Sequence, residues 1–157
     1  MNASRTEGMT VAIEVGQEAP DFTLVDENNE KVTLSELRGT PVVLVFFPFA
    51  FSGICTAEMC GIRDDYSSWM AKGAKVYGIS RDSRFVQAVF KEREGLTHSL
   101  LADLKGDAAK KYGVWNEAVG AAERATFVID REGKVAYAIH NEIPNARDHS
   151  EVEKHIA

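Results

Sequence analysis

The sequence predicts an α/β fold with a central mixed β-sheet and helices on both faces, and three observations carry that expectation. Residues 42–47, Val-Val-Leu-Val-Phe-Phe, form a short apolar run rich in β-branched and aromatic residues, closed by Pro48. Such a run reads as a strand covered on both sides, and proline ends it because it cannot donate to a central ladder. After Cys55 the spacing changes: Met59, Ile62, Tyr66 and Trp69 or Met70 recur at intervals of three and four, which is a helical stripe. Near the C-terminal end, residues 125–129 and 134–139 flank Asp130-Arg131-Glu132-Gly133, the strongest hairpin signal in the chain. Strands that alternate with helices and close on a hairpin make a sheet packed between helices.

The remaining elements follow in order. Residues 1–13 carry no strong pattern and read as a lead-in, within a single domain over residues 1–157. Residues 26–30 are a polar turn, and residues 31–34 a short strand paired back across it. Ser35 with Glu36-Leu37-Arg38-Gly39 suggests one capped helical turn before the central strand. Ser52 is placed to cap the helix that contains Cys55, and Gly73 to stop it. Residues 75–80 read as a second core strand. Residues 83–94 read as a helix with Phe85, Val86, Val89 and Phe90 on one face, closed by Gly95. A brief strand at 99–102 and a short helix at 108–112, ended by Gly113, complete the middle of the chain. Asp148 is placed to cap a last helix running to His155.

Composition narrows the function. The chain has 157 residues, is 45% hydrophobic and carries a net charge of −6. It is long enough for one sizeable core, and its acidity argues against a nucleic-acid surface or an anionic membrane as partner. No apolar run approaches a bilayer span, and the first eight residues lack the apolar core of a signal peptide. Two cysteines do not make a disulfide scaffold in a domain this large. A cytoplasmic location follows as the expectation, where thiols stay reduced and a cysteine can work chemically.

Both cysteines fall where a buried strand gives way to a helix. An anion is favoured at a helix N-terminus, and the nucleophilic form of cysteine is the anionic thiolate. The ordinary alternative is a small buried cysteine used as packing. Pro48, Ser52 and Cys55 together form Pro-x-x-x-Ser-x-x-Cys just after a core strand. In this the chain resembles the peroxiredoxins, thiol peroxidases on a thioredoxin-like fold, and Gly16-Gln17-Glu18-Ala19-Pro20-Asp21-Phe22 is similar to their opening. The resemblance runs over nearly the whole chain from Gly16 onward.

The resemblance implies a role for each site residue. Cys55 is the nucleophile, attacking hydrogen peroxide or an organic hydroperoxide and becoming a sulfenic acid. Ser52, where most relatives have threonine, contacts peroxide and thiolate, and Pro48 shields the cysteine from solvent. Serine keeps the oxygen but loses the methyl that fixes its rotamer. Arg124, just before Ala125-Thr126-Phe127-Val128-Ile129, reaches the cysteine, offering fixed donors to thiolate and peroxide. Its bland alternative is a surface salt bridge. Glu58 orients the arginine, or is simply an acid in the first helical turn. Arg147 lies where some relatives carry an auxiliary arginine.

Recycling is where two branches of the family diverge. Cys60, in Cys-Thr-x-x-x-Cys-Gly-x-Arg-Asp, resembles the bacterioferritin-comigratory branch, in which this cysteine resolves the sulfenic acid. Phe-Phe-Pro-Phe-Ala-Phe-Ser-Gly-Ile-Cys and Tyr-Gly-Val-Trp-Asn-Glu resemble the one-cysteine branch represented by mycobacterial alkyl hydroperoxidase E. A thioredoxin-like protein or a low-molecular-weight thiol would be the reducing partner. Five residues along an ideal helix separate Cα atoms by roughly 8–9 Å. A disulfide tolerates up to about 7 Å, so resolution by Cys60 requires the helix to unwind locally. The alternative keeps Cys60 as packing and sends an external thiol to the sulfenic acid.

Other functions fit less well. His98, His140, His149 and His155 show no ligand spacing with the cysteines, so no metal or other cofactor is expected. Cys-x-x-Cys, the signature of a disulfide reductase, is absent. A redox sensor or relay that passes the same oxidation to a partner protein remains the alternative of a different class. Phe49, Phe51, Tyr112 and Trp115 read as core or pocket wall, or as a face toward a second subunit, since several peroxiredoxins form homodimers through loops near the active site.

Overall fold

The computed structural model describes residues 12–156. A seven-stranded mixed sheet has the order β2-β1-β5-β4-β3-β8-β9, with β1 at Thr23–Asp26, β2 at Lys31–Thr33, β3 at Val42–Phe46, β4 at Lys75–Ser80, β5 at Ser99–Ala102, β8 at Arg124–Ile129 and β9 at Val135–Asn141. Three helices accompany it: α1 at Gly53–Ala71, α2 at Arg84–Glu94 and α3 at Asp107–Lys111. A small separate ribbon pairs β6, Trp115–Asn116, with β7, Ala121–Ala122.

The central strand behaves as its composition requires. All five residues of β3 are buried, between parallel β4 and antiparallel β8. Its side chains alternate between two cores. Val42, Leu44 and Phe46 join Tyr112, Ala108 and Ala109 of the α3 region on one face. Val43 and Val45 join Cys55, Met59, Ile62 and Trp69 of α1 and Phe90 of α2 on the other. The helical stripe resolves in favour of Trp69, 2% exposed, over Met70, 52% exposed. Gly78 of β4 lets α1 approach closely: a Cβ there would lie 2.7 Å from Leu100 Cδ2 and 3.3 Å from Met59 Sδ.

Several expectations need correction. Residues 1–11, most of the anticipated lead-in, lie outside the described residues, but Ala12 and Ile13 already pack on the core, and Ile13 N–H donates to Tyr112 O. The turn before β3 is a 3-10 segment, Leu34–Leu37, without a side-chain cap; Ser35 N–H donates instead to Asp21 Oδ1. On α2 the apolar face is not the buried one: Phe85 is 66% and Val89 51% exposed, whereas Gln87 and Phe90 are buried. Polar anchoring sets that rotation, because the Gln87 amide donates to Ser80 Oγ and to the Leu101 carbonyl. The expected last helix reduces to a 3-10 turn, Glu153–His155, because Asp148 accepts from Ser150 N–H in a local turn.

His98 is wholly buried with no hydrogen bond at either ring nitrogen, facing Lys91 of α2, Glu27 of the β1–β2 turn and the Tyr66 ring of α1. Burial, and then the charge of Lys91, pull its pKa down to about 4. Between that value and the free value of 6.5, the unfolded chain binds a proton here that the native state does not. Stability therefore falls as pH drops through this window, by roughly 3 kcal/mol at its lower end. The variant His98→Phe should lose less stability than the wild type between about pH 7 and about pH 4.5, measured as urea midpoints. An acid loss equal to the wild type's would show that the sensitivity arises elsewhere.

Candidate active site

The site forms where β3 leaves the sheet. Phe47 N–H still donates to Ile79 O of β4, and buried Pro48, with no N–H to offer, turns the chain outward. The loop is then pinned from β4 and α2. Ala50 N–H donates to Asp82 Oδ2 at 2.7 Å, and the same oxygen accepts from Ser80 Oγ at 2.6 Å. Phe51 adopts a left-handed backbone, φ 70°, and lays its ring against Phe90 at 5.0 Å. A non-glycine residue there holds a conformation that L side chains rarely adopt, and it directly precedes the helix cap. Ser52 caps α1: its Oγ accepts from Cys55 N–H at 3.4 Å and its carbonyl from Thr56 N–H at 2.8 Å.

This arrangement buries Cys55 against the sheet in the first turn of α1. The β3–β8 register pairs Phe46 with Ala125, so Arg124 stands at the end of β8 beside the exit of β3. Arg124 is 2% exposed, and its Nη1 lies 3.2 Å from Cys55 Sγ. The same nitrogen donates to Glu58 Oε1 at 2.7 Å, and its Nε to the Ile143 carbonyl. The surface salt-bridge alternative for Arg124 is therefore excluded by burial.

Glu58, one helical turn past Cys55, is the hub of the site. It accepts from Arg147 Nη2 at 2.8 Å through Oε1, and from Arg147 Nε and backbone N–H through Oε2. Burial alone would raise its pKa, but the hydrogen bonds and charge of Arg147, with the charge of Arg124, hold it below the usual carboxylate range. Burial lowers the Arg147 pKa from its ordinary value, against the opposing pull of Glu58. Arg147 Nη1 also donates to the carbonyls of Phe46 and Ala125 and to Thr126 Oγ1. The arginine thus ties α1, β3 and β8 together.

Cys55, Ser52, Glu58, Arg124 and Arg147 are brought together; Cys60 is not. It faces α2, where its thiol donates to Glu94 Oε1 at 3.7 Å, beside Arg63, which donates to the Glu94 carbonyl. Burial raises the Cys60 pKa, with Arg63 opposing and Glu94 adding to the rise. Both cysteines are free thiols. Of the four aromatics, Tyr112 lies in the core against Phe46 and Phe127, and Trp115 sits under Lys110; Phe49 and Phe51 belong to the site loop. Among the described residues no group of three metal-ligating side chains could hold an ion, and no helix is long and apolar enough to cross a membrane. Sequence reasoning missed Asp82, Thr126 and the side chain of His149, whose Nε2 lies 2.8 Å from Thr126 Oγ1. The only local signal was Ser80-Arg81-Asp82 at a strand end, a common site for a polar turn.

Known proteins share this sequence and architecture. The chain matches the AhpC/TSA family over residues 15–138, a span that includes Cys55 and Arg124 and ends before Arg147. It is 39% identical over 139 residues to alkyl hydroperoxide reductase E of Mycobacterium tuberculosis, covering 87% of this chain and 91% of that protein. It is 36% identical over 142 residues to the chloroplastic peroxiredoxin Q of Suaeda salsa, covering 90% of this chain and 63% of that longer protein. The crystal structure of peroxidoxin BcpB from Mycobacterium tuberculosis matches with a TM-score of 0.78 at 34% identity, over 90% of each chain. The mixed sheet with its flanking helices is the thioredoxin-like fold of these proteins. The chain belongs to the AhpC/TSA family, the peroxiredoxins, whose members are thiol peroxidases.

Proposed function

We propose that this chain reduces hydrogen peroxide and organic hydroperoxides through Cys55. The observation that carries the reading is the buried Arg124 Nη1 at 3.2 Å from Cys55 Sγ. A guanidinium there offers fixed donors both to an anionic sulfur and to the oxygen it attacks. The thiolate takes the terminal peroxide oxygen, the O–O bond breaks, and the other oxygen leaves with a proton as water or an alcohol. Cys55 is left as a sulfenic acid, oxidised by two electrons. Ser52 supplies the cap and a hydroxyl at the helix start, Pro48 closes the loop against solvent, and Glu58 with Arg147 orients Arg124.

Reduction then needs a thiol. In the first route Cys60 attacks the sulfenic acid, water leaves, and a Cys55–Cys60 disulfide forms after the start of α1 unwinds. A thioredoxin-like protein or a low-molecular-weight thiol reduces that bond. A second route, in which the external thiol reacts directly with the sulfenic acid, is favoured by the position of Cys60, whose thiol donates to Glu94 and faces α2, and whose pKa is raised by burial and then by Glu94 against Arg63. Steady turnover with a reducing system separates either route from a sensor that is oxidised once and then binds a partner.

The variant Cys55→Ser should abolish peroxide consumption, whereas Cys60→Ser retains the first oxidation. Rapid consumption by Cys55→Ser would sink the assignment. Non-reducing peptide mapping after one equivalent of peroxide separates the two routes: a Cys55–Cys60 linked peptide supports the disulfide, and a persistent sulfenic acid beside a free Cys60 supports direct reduction.

Replacing Arg124 by alanine should slow oxidation of Cys55 by roughly 10- to 100-fold, the worth of one hydrogen bond to a charged group. Rapid-mixing kinetics on the reduced protein measure it. An unchanged rate would mean that Arg124 serves only the packing of β8.

A further inference from the structure

Beyond Ser52, Glu58, Arg124 and Arg147, hydrogen bonds join two further side chains to the site, Thr126 and through it His149. His149 Nε2 lies 2.8 Å from Thr126 Oγ1, and Thr126 Oγ1 accepts from Arg147 Nη1 at 3.2 Å. A threonine hydroxyl has one proton to give, while a guanidinium can only donate. With Arg147 donating to the oxygen, the hydroxyl proton is free to point at His149 Nε2, provided that nitrogen carries no proton of its own. Burial, and then the charge of Arg147, pull the His149 pKa down to about 4, with Glu58 and Asp148 opposing, so the ring is neutral; in its Nδ1–H tautomer Nε2 is the acceptor. Half-buried His149 meets Thr126 of β8 and the ring of Trp69 of α1, edge-on at 6.1 Å, and its other side lines a cleft with Gly61 and Asp65 of α1.

In that tautomer every bond in the chain has one direction. Thr126 donates to His149, Arg147 donates to Thr126 and Glu58, and Arg124 donates to Glu58 and Cys55. Were the imidazole absent, the threonine hydroxyl could turn its proton toward the guanidinium, two donors facing each other in a buried place. The segment that carries Arg147 gains a further tie in this way, beside the bonds of Arg147 itself to Glu58, Phe46 and Ala125. It is no helix but an irregular stretch after β9, held at its start by Asn141, whose amide donates to the carbonyls of Asn145 and Ala146. His149 fastens the other side of Arg147 to β8.

We propose that His149 is a positioning residue for the Cys55 site, acting through Thr126 and Arg147 to hold Glu58 and Arg124 in place. It touches neither the sulfur nor the oxygen that would be attacked. The proposal deepens the peroxidase reading and rests on it for its kinetic consequence, but not for its geometric one.

The test uses the reduced full chain with three replacements: His149→Leu, which keeps bulk and removes the acceptor; His149→Gln, which restores an acceptor; and Thr126→Val, which removes the hydroxyl. Two rates are read, oxidation by hydrogen peroxide and alkylation of Cys55 by iodoacetamide followed by peptide mapping. His149→Leu and Thr126→Val should each slow both rates by roughly 2- to 10-fold, the worth of one hydrogen bond. His149→Gln should stay near the wild type, and the double replacement should be no slower than the slower single one. Equal rates for leucine and glutamine at 149, or losses that add in the double variant, would overturn the proposal. Should the leucine variant fold poorly, Thr126→Val with the wild-type alkylation rate overturns it as well. A wild type that alkylates but consumes no peroxide would count against the peroxidase reading alone, and the alkylation series would still decide the role of His149.

Discussion

One buried carboxylate holds this site together. Glu58 accepts four hydrogen bonds from two arginines that are themselves almost wholly buried. Isolated guanidinium groups could not be taken out of water at this depth without a partner of opposite charge. Because Glu58 stands one turn from Cys55 on the same helix, satisfying the arginines also fixes where the helix begins. The charges do not cancel: two cations face one carboxylate, which leaves an excess positive charge, and Arg124 Nη1 carries it to 3.2 Å from Sγ. The helix N-terminus adds the same sign. The excess positive charge and the helix N-terminus therefore converge on one atom, Cys55 Sγ.

The fold makes this possible by converging chain segments that are distant in sequence. Arg124 arrives because β8 pairs with β3 in a register that ends at the same edge. Arg147 arrives on the segment that follows β9, and its donors then bind β3, β8 and α1 at once. Asp82, from the turn after β4, holds the loop that delivers Ser52. No element of the sheet next to the site is free to move without disturbing at least one of these bonds.

What could be read in the sequence follows from this division. β3, its end at Pro48, the Ser52 cap and the β8–β9 hairpin rest on patterns within a few residues, and each appears where the residues imply it. The face of α2 was misread because hydrophobicity was taken to mark the core. There a buried glutamine, bonded to Ser80 and Leu101, sets the rotation and leaves Phe85 and Val89 outside. The terminal helix failed for a similar reason: Asp148 spends its carboxylate on a two-residue turn. Arg124 and Glu58 were found through their resemblance to a motif. Asp82, Thr126 and His149 were not, since their partners lie 32, 21 and 23 residues away and no local period encodes such pairs.

The same construction bears on how the oxidised thiol is reached. Cys55 lies in the core and Cys60 looks toward Glu94, on different faces of one continuous helix. A bond between them requires the backbone between the two residues to leave helical geometry, and Glu58 lies within that stretch. Unwinding all of it would release the carboxylate from both arginines and leave two buried cations facing each other. Unwinding only residues before Glu58 would spare the cluster, and Gly53, with open space around its Cα, is where the backbone yields most easily. On the proposed disulfide route, an opening confined to the turn held by Ser52 would leave the bonds of Glu58 to both arginines intact. The hydrogen bonds of Glu58 thus tie the stretch of α1 between the two cysteines to both arginines.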